Sequence, residues 1–234
     1  MKLQGADAAA RADAVLREIQ PLGSEHNRAG MARYGINTEN AFGVPIPPLR
    51  KLARSLRPDH ALALALWDTG NHEGRILAAF VDDPGQVGKA QMNRWAADFD
   101  SWDVCDQVCN NLFVRTPHAY DRALKWSGRK APFVRRAAFS LMASLAVHAK
   151  NLDDRQFDPL LRAIEDAADD ERNYVKKAVN WALRQIGKRN RKLHTKAIAV
   201  AEDLAERPSK SARWIARDAL RELTGEKVKA RLHG

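Results

Sequence analysis

Few of the motifs that announce common enzyme classes occur in this 234-residue sequence. It has no GxxxxGK[ST] phosphate loop, no GxGxxG after a strand, no HExxH and no GxSxG. These absences argue against an NTPase, a nicotinamide enzyme, a zincin and an α/β hydrolase. Its two cysteines, Cys105 and Cys109, cannot build a disulfide framework. A thiol pair also falls short of the three or four ligands of a zinc site. No metal and no cofactor is therefore implied. No apolar run approaches the roughly 18–20 residues of a membrane span, so no membrane partner is expected. The stretch MKLQGADAAARADAVLREIQ carries early acids and no apolar signal core, which leads us to expect a cytoplasmic protein. Period-two runs of β-branched residues and flanked Asn-Gly or Asp-Gly turns are also missing, so little strand is expected.

Ala, Leu, Arg, Lys and Glu dominate instead, and these are helix formers. Capping residues and first-turn prolines place helix starts near Asp7, Ser24, Pro47, Asp59, Asn71, Lys89, Ser101, Pro117, Ala131, Asp153, Asp170, Arg191 and Ser209. The intervening loops are short, so successive helices should pack antiparallel. Helix pairs recur at roughly 35–45 residues, the spacing of HEAT-like or armadillo-like repeats. The expected fold is all-α: a helical-repeat array, an α-α superhelix with a concave basic groove. One domain is expected over 1–234. Residues 1–46 would be N-terminal helices and a connector, 47–222 stacked helix pairs, and 223–234 a basic C-terminal tail. The segment GINTENAFGVPIPP, Gly35 to Pro48, is the least helical stretch and serves as the connector.

Charge is unevenly spread. Lys and Arg number 39 against 29 Asp and Glu, a net +10. Residues 172–234 hold 17 basic and 6 acidic residues, while the preceding part is close to neutral. A basic region on a neutral body suits a polyanion binder, nucleic acid first, or a solvated tail that aids solubility.

Three segments could carry chemistry. In FDSWDVCDQVCNNLF, a helix capped by Ser101 puts Trp102, Cys105, Asp106, Cys109 and Phe113 on one face. A carboxylate on that face needs a partner or a solvated groove. Asp106 is thus either ion-paired to a neighbouring helix or presented with Trp102 to a ligand, and the cysteines are small buried hydrophobes. In DERNYVKKAVNWALRQIGKRN, Lys177, Trp181, Arg184 and Lys188 form a basic stripe containing a tryptophan. Six basic residues and no acid lie between Arg172 and Arg189. Phosphate contacts with an aromatic against sugar or base explain such a stripe; packing of Trp181 under the next repeat is the other reading. In APFVRRAAFSLMASLAVH, Arg136 shares its face with small residues. It could clamp a phosphate bidentately or pair with an acid of the preceding helix.

These segments, SWDVCD, FVRRAAFSLM and NYVKKAVNWALRQIGKRN, together with MARYGINTENAFGVPIPPLRKLA, resemble the bacterial DNA alkylation repair enzymes of the AlkD type. Those are HEAT-repeat alkylpurine DNA glycosylases, and the resemblance runs from about Gly30 to Asn190. It implies hydrolysis of the N-glycosidic bond of N3- and N7-alkylated purines in double-stranded DNA, without base flipping. It also implies a monomer. The implied catalytic residues are Asp106, Trp102 and Trp181. Arg136, with Arg135 as the register alternative, would contact the DNA backbone, as would Lys177, Arg184, Lys188 and Arg189. Two rivals remain: a non-catalytic binder of branched or distorted DNA, and a protein-interaction scaffold.

Overall fold

The computed structural model describes residues 2–233, with side chains for 7–232. Among the described residues there is no strand, and no helix is long and apolar enough to cross a membrane. The chain gathers into two compact units, residues 1–116 and 117–234.

The first unit holds α1 (Lys2–Ile19), α2 (Glu25–Arg33), α3 (Ile46–Leu56), α4 (His60–Asp68), α5 (His72–Val81), α6 (Lys89–Ala97) and α7 (Trp102–Asn111). Helix α1 packs on α4 and α4 on α5, while α3, α5 and α7 lie side by side as one layer. Local sequence sets several starts as expected. The side chains of Ser24, Asp59 and Asn71 accept hydrogen bonds from the first-turn amides of α2, α4 and α5. Beneath them lies an aromatic core. Trp67 and Trp95 stack with centroids 4.0 Å apart, and Phe99 and Phe113 close around them.

The second unit holds α8 (Ala119–Ser127), α9 (Pro132–His148), α10 (Asp158–Ala167), α11 (Asn173–Gly187), α12 (Arg191–Ala205), α13 (Lys210–Leu223) and α14 (Glu226–His233). Here the pairing is regular: α8 with α9, α10 with α11, α12 with α13. Helices α9, α11 and α13 are successive neighbours in one layer, and α8, α10 and α12 in the other. The apolar stripe of α11 (Val175, Ala178, Val179, Ala182, Ile186) is fully buried, as its periodicity requires.

Several expected boundaries differ. Helix α1 begins before Asp7, and α8 begins at Ala119 rather than Pro117. Asp153 caps a 3-10 turn, Asp154–Phe157, that leads into α10. Helix α11 starts at Asn173, not Asp170, because the Asp170 carboxylate is committed to Arg135 and Arg172. The expected basic tail is helix α14. It is tied back by Arg191 Nε donating to the Leu232 carbonyl at 2.6 Å and by Arg231 donating to the Lys188 carbonyl.

The connector between α2 and α3 is held by one buried side chain. Glu73, fully buried in the first turn of α5, accepts hydrogen bonds from the amides of Phe42 (2.9 Å), Gly43 (2.8 Å) and Val44 (3.0 Å). The Asn40 carbonyl in turn accepts from the His72 amide and Asn71 Nδ2. Gly43 is required in this loop. Its φ is +78°, and a Cβ there would lie 2.5 Å from the Ser24 carbonyl oxygen. Glu73→Ala would strand three amides in the interior and should cost about 3 kcal/mol or more. Glu73→Gln keeps one acceptor oxygen and should fall between the two. Urea or thermal melts should therefore rank wild type above Gln above Ala. Melts that coincide for all three would show that the loop does not depend on this carboxylate.

Candidate functional site

Helix α7 is anchored at its first turn by the connector. Ser101 takes the extended backbone of an N-cap, as expected. Its hydroxyl, however, caps no α7 amide and accepts instead from the Asn37 amide at 2.8 Å. Asn37 Nδ2 donates to Asp100 at 2.9 Å, and Trp102 Nε1 donates to the Tyr34 carbonyl at 3.0 Å. The expected shared face divides in two. Cys105 and Cys109 are fully buried with Val104 and Val108, whereas Trp102 and Asp106 are half-buried at the edge of that face.

Trp102 and Asp106 open onto a cavity of about 520 Å³ within the first unit. Its apolar walls come from Met31, Ile36, Val44, Ile46 and Ile76, and its polar groups from His72, Asp103, Asp106 and Gln107. The two carboxylates beside Trp102 differ in setting. Asp103 Oδ2 lies 2.9 Å from Nε2 of the buried His72, while Asp106 stands one turn beyond Trp102. Among the described residues no group of three or more His, Cys, Asp or Glu could hold a metal ion.

The second unit carries the other expected residues. Trp181 is half-buried on α11, and Lys177 is exposed with no ion-pair partner among the described residues. The remaining cations have partners within the chain. Arg184 pairs with Glu222 and lies 3.6 Å from Asp218, and Lys188 reaches Glu222 at 2.5 Å. Partial burial works to raise the Glu222 pKa, but Lys188 and Arg184 outweigh it and hold the carboxyl below its ordinary value. Arg189 donates to the carbonyls of Ala146, Ala149 and Leu152 at 2.8–3.0 Å, which closes the C-terminal end of α9. Arg135 pairs with Asp170 at 2.9 Å. Arg136 is buried, 6% exposed, and donates to the Tyr174 carbonyl at 2.6 Å. Within the acid-free run from Arg172 to Arg189, Arg184 and Lys188 are thus matched by acids of α13, the next layer neighbour.

Sequence reasoning passed over His72 and Glu73. No motif in the sequence marks either residue. His72 pairs with Asp103, 31 residues on, and Glu73 with connector amides about 30 residues earlier. Burial acts to lower the His72 pKa. The hydrogen bond to Asp103 and the charges of Asp103, Glu73 and Asp100 carry it above its ordinary value. A raised folded pKa stabilises the fold below the unfolded value and loses that contribution as pH rises through the folded value. Asp103→Asn should therefore lower the melting temperature most near about pH 5.5–6 and progressively less above about pH 6.5. A deficit that stays constant with pH would contradict the pairing.

The family described as DNA alkylation repair enzyme matches residues 15–223. The uncharacterized protein Lin0241 of Listeria innocua serovar 6a is 22% identical over 198 residues, covering 83% of this chain and 86% of its own. One solved structure superposes with a TM-score of 0.78 at 22% identity, covering 94% of this chain and 95% of its own. It is described as a new family of proteins related to the HEAT-like repeat DNA glycosylases with affinity for branched DNA structures. A designed armadillo repeat protein bound to a (KR)4 peptide matches at a TM-score of only 0.39 and 15% identity, over 79% of this chain and 78% of its own. The second-unit layers and the 0.78 superposition make the fold HEAT-like and all-α. With the family match running from the last turns of α1 to the end of α13, the chain belongs to the DNA alkylation repair enzyme family.

Proposed function

We propose that this protein binds double-stranded DNA and hydrolyses the N-glycosidic bond of N3- and N7-alkylated purines, without extruding the base. The observation that carries the reading is the pair Trp102 and Asp106, one helical turn apart and lining the same cavity. An alkylated purine is cationic and leaves readily, so little acid catalysis is needed. As the bond breaks, positive charge develops on the deoxyribose. A carboxylate fixed beside the sugar stabilises that charge and positions water for attack. The Trp102 ring offers its electron-rich face to the same developing cation. In the second unit, Trp181 and the exposed Lys177 supply an aromatic surface and a phosphate contact. Arg135, Arg136, Arg184, Lys188 and Arg189 contribute by fixing the helices that carry them, since each is engaged within the chain.

A second reading, recognition of branched DNA without chemistry, is favoured by the description of the structural neighbour and by the intramolecular commitment of those arginines. Base release separates the two. Wild type incubated with methylated duplex should liberate 3-methyladenine or 7-methylguanine. Asp106→Asn should lose about 10²-fold or more of the rate while keeping its duplex affinity. Trp181→Ala should weaken release with the fold intact. Tight duplex binding with no base released from any methylated substrate would overturn the glycosylase reading in favour of the branched-DNA one.

A further inference from the structure

A second cavity of the first unit lies outside everything assigned above. It measures about 220 Å³ and is lined by Arg50, Arg54, Arg57 and Arg115 with Ala53, Phe80 and Asn111. Arg50, Arg54 and Arg57 recur at helical spacing along α3 and its C-cap, and Arg115 comes from the 3-10 turn Phe113–Arg115 after α7. No carboxylate lines this cavity. Arg54, Arg57 and Arg115 have no side-chain partner among the described residues, although ion pairs are common elsewhere in the unit. Arg50 is fixed but not neutralised. It donates to Asn111 Oδ1 at 3.0 Å and Gln107 Oε1 at 3.1 Å, and its guanidinium lies 4.5 Å from the Phe80 ring centroid.

The C-terminal end of α3 favours cations and accounts for Arg54 and Arg57. It does not account for Arg115, nor for an Arg50 held in place by two neutral amides. Guanidinium groups gathered within a Debye length repel one another, and no carboxylate among the residues lining the cavity offsets that repulsion. An anion would, and the planar donors of arginine match phosphate oxygens in particular. We infer that this four-arginine cavity is a phosphate site that takes the sugar-phosphate backbone of a nucleic-acid strand. Gln107, which orients Arg50, also lines the cavity of Trp102 and Asp106. A strand held here therefore lies next to that cavity. The inference rests on DNA as the partner but not on the Asp106 chemistry.

The test uses the full chain and an undamaged duplex, titrated between about 50 and 300 mM salt. Arg54→Glu/Arg57→Glu should weaken binding about tenfold or more near 0.1 M salt and flatten the log Kd against log salt slope by about two. Arg54→Lys/Arg57→Lys should retain most of the slope. Arg17→Glu/Lys51→Glu, an equal charge change at exposed positions outside the cavity, should leave it within about one unit. Melting curves verify that each variant folds. Inorganic pyrophosphate supplies the second arm. If it raises the melting temperature of wild type but not of Arg54→Glu/Arg57→Glu, while duplex binding is unchanged, the site serves a free phosphate ligand and the strand assignment is overturned. An unchanged duplex slope with no pyrophosphate effect overturns the site altogether. Normal base release with an unchanged slope would sink this inference alone. A flattened slope without base release would sink only the glycosylase reading.

Discussion

The buried carboxylate of Glu73 is the contact on which the first unit's cavity depends. A fully buried acid is tolerable only when its oxygens are saturated, and here three consecutive backbone amides do that. The loop they belong to has no secondary structure of its own. Fixing Phe42 to Val44 sets the path of the connector on both sides. Upstream, Tyr34 and Asn37 meet the first turn of α7, and downstream the chain enters α3. Trp102 and Asp106 are therefore positioned by a wall that hangs from a residue on α5. The neighbouring His72 adds a second tie from α5 to α7 through Asp103.

The second unit solves a different problem. Its helices carry many cations, and the structure spends most of them on cohesion. Glu222 on α13 gathers Arg184 of α11 and Lys188 at its C-cap, and Arg189 gathers carbonyls at the end of α9. Neighbouring helices of one layer are thereby stitched by charge as well as by the apolar stripe of α11. In the first unit, four arginines lie together around one cavity that no carboxylate lines. Net charge counted along the chain points to the C-terminal quarter. Charge left without a partner after folding is found elsewhere as well.

Local chemistry made much of the fold legible. Ser24, Asp59, Asn71 and Ser209 cap helices because a cap needs only its own first turn. The face shared by Trp102 and Asp106 follows from helical spacing alone, and the cavity lies against it. Contacts distant in sequence were not legible. Nothing near Glu73 marks it as the partner of residues about 30 positions earlier. Nothing near Arg184 announces Glu222, 38 residues on. Ser101 has the sequence of a cap, but the tertiary partner Asn37 claims its hydroxyl. The basic C-terminal segment read as a tail because composition alone does not reveal that Arg191 and Lys188 receive it.

The most direct measurement compares two duplexes that differ in one sugar: one with a protonated pyrrolidine at the position of the reacting deoxyribose, the other with a neutral tetrahydrofuran. A cavity arranged to stabilise a cationic sugar should bind the charged mimic about 10²-fold or more tightly, and Asp106→Asn should abolish that preference. Equal affinity for the two duplexes, or a preference that survives Asp106→Asn, would contradict the placement of the reacting sugar beside Asp106.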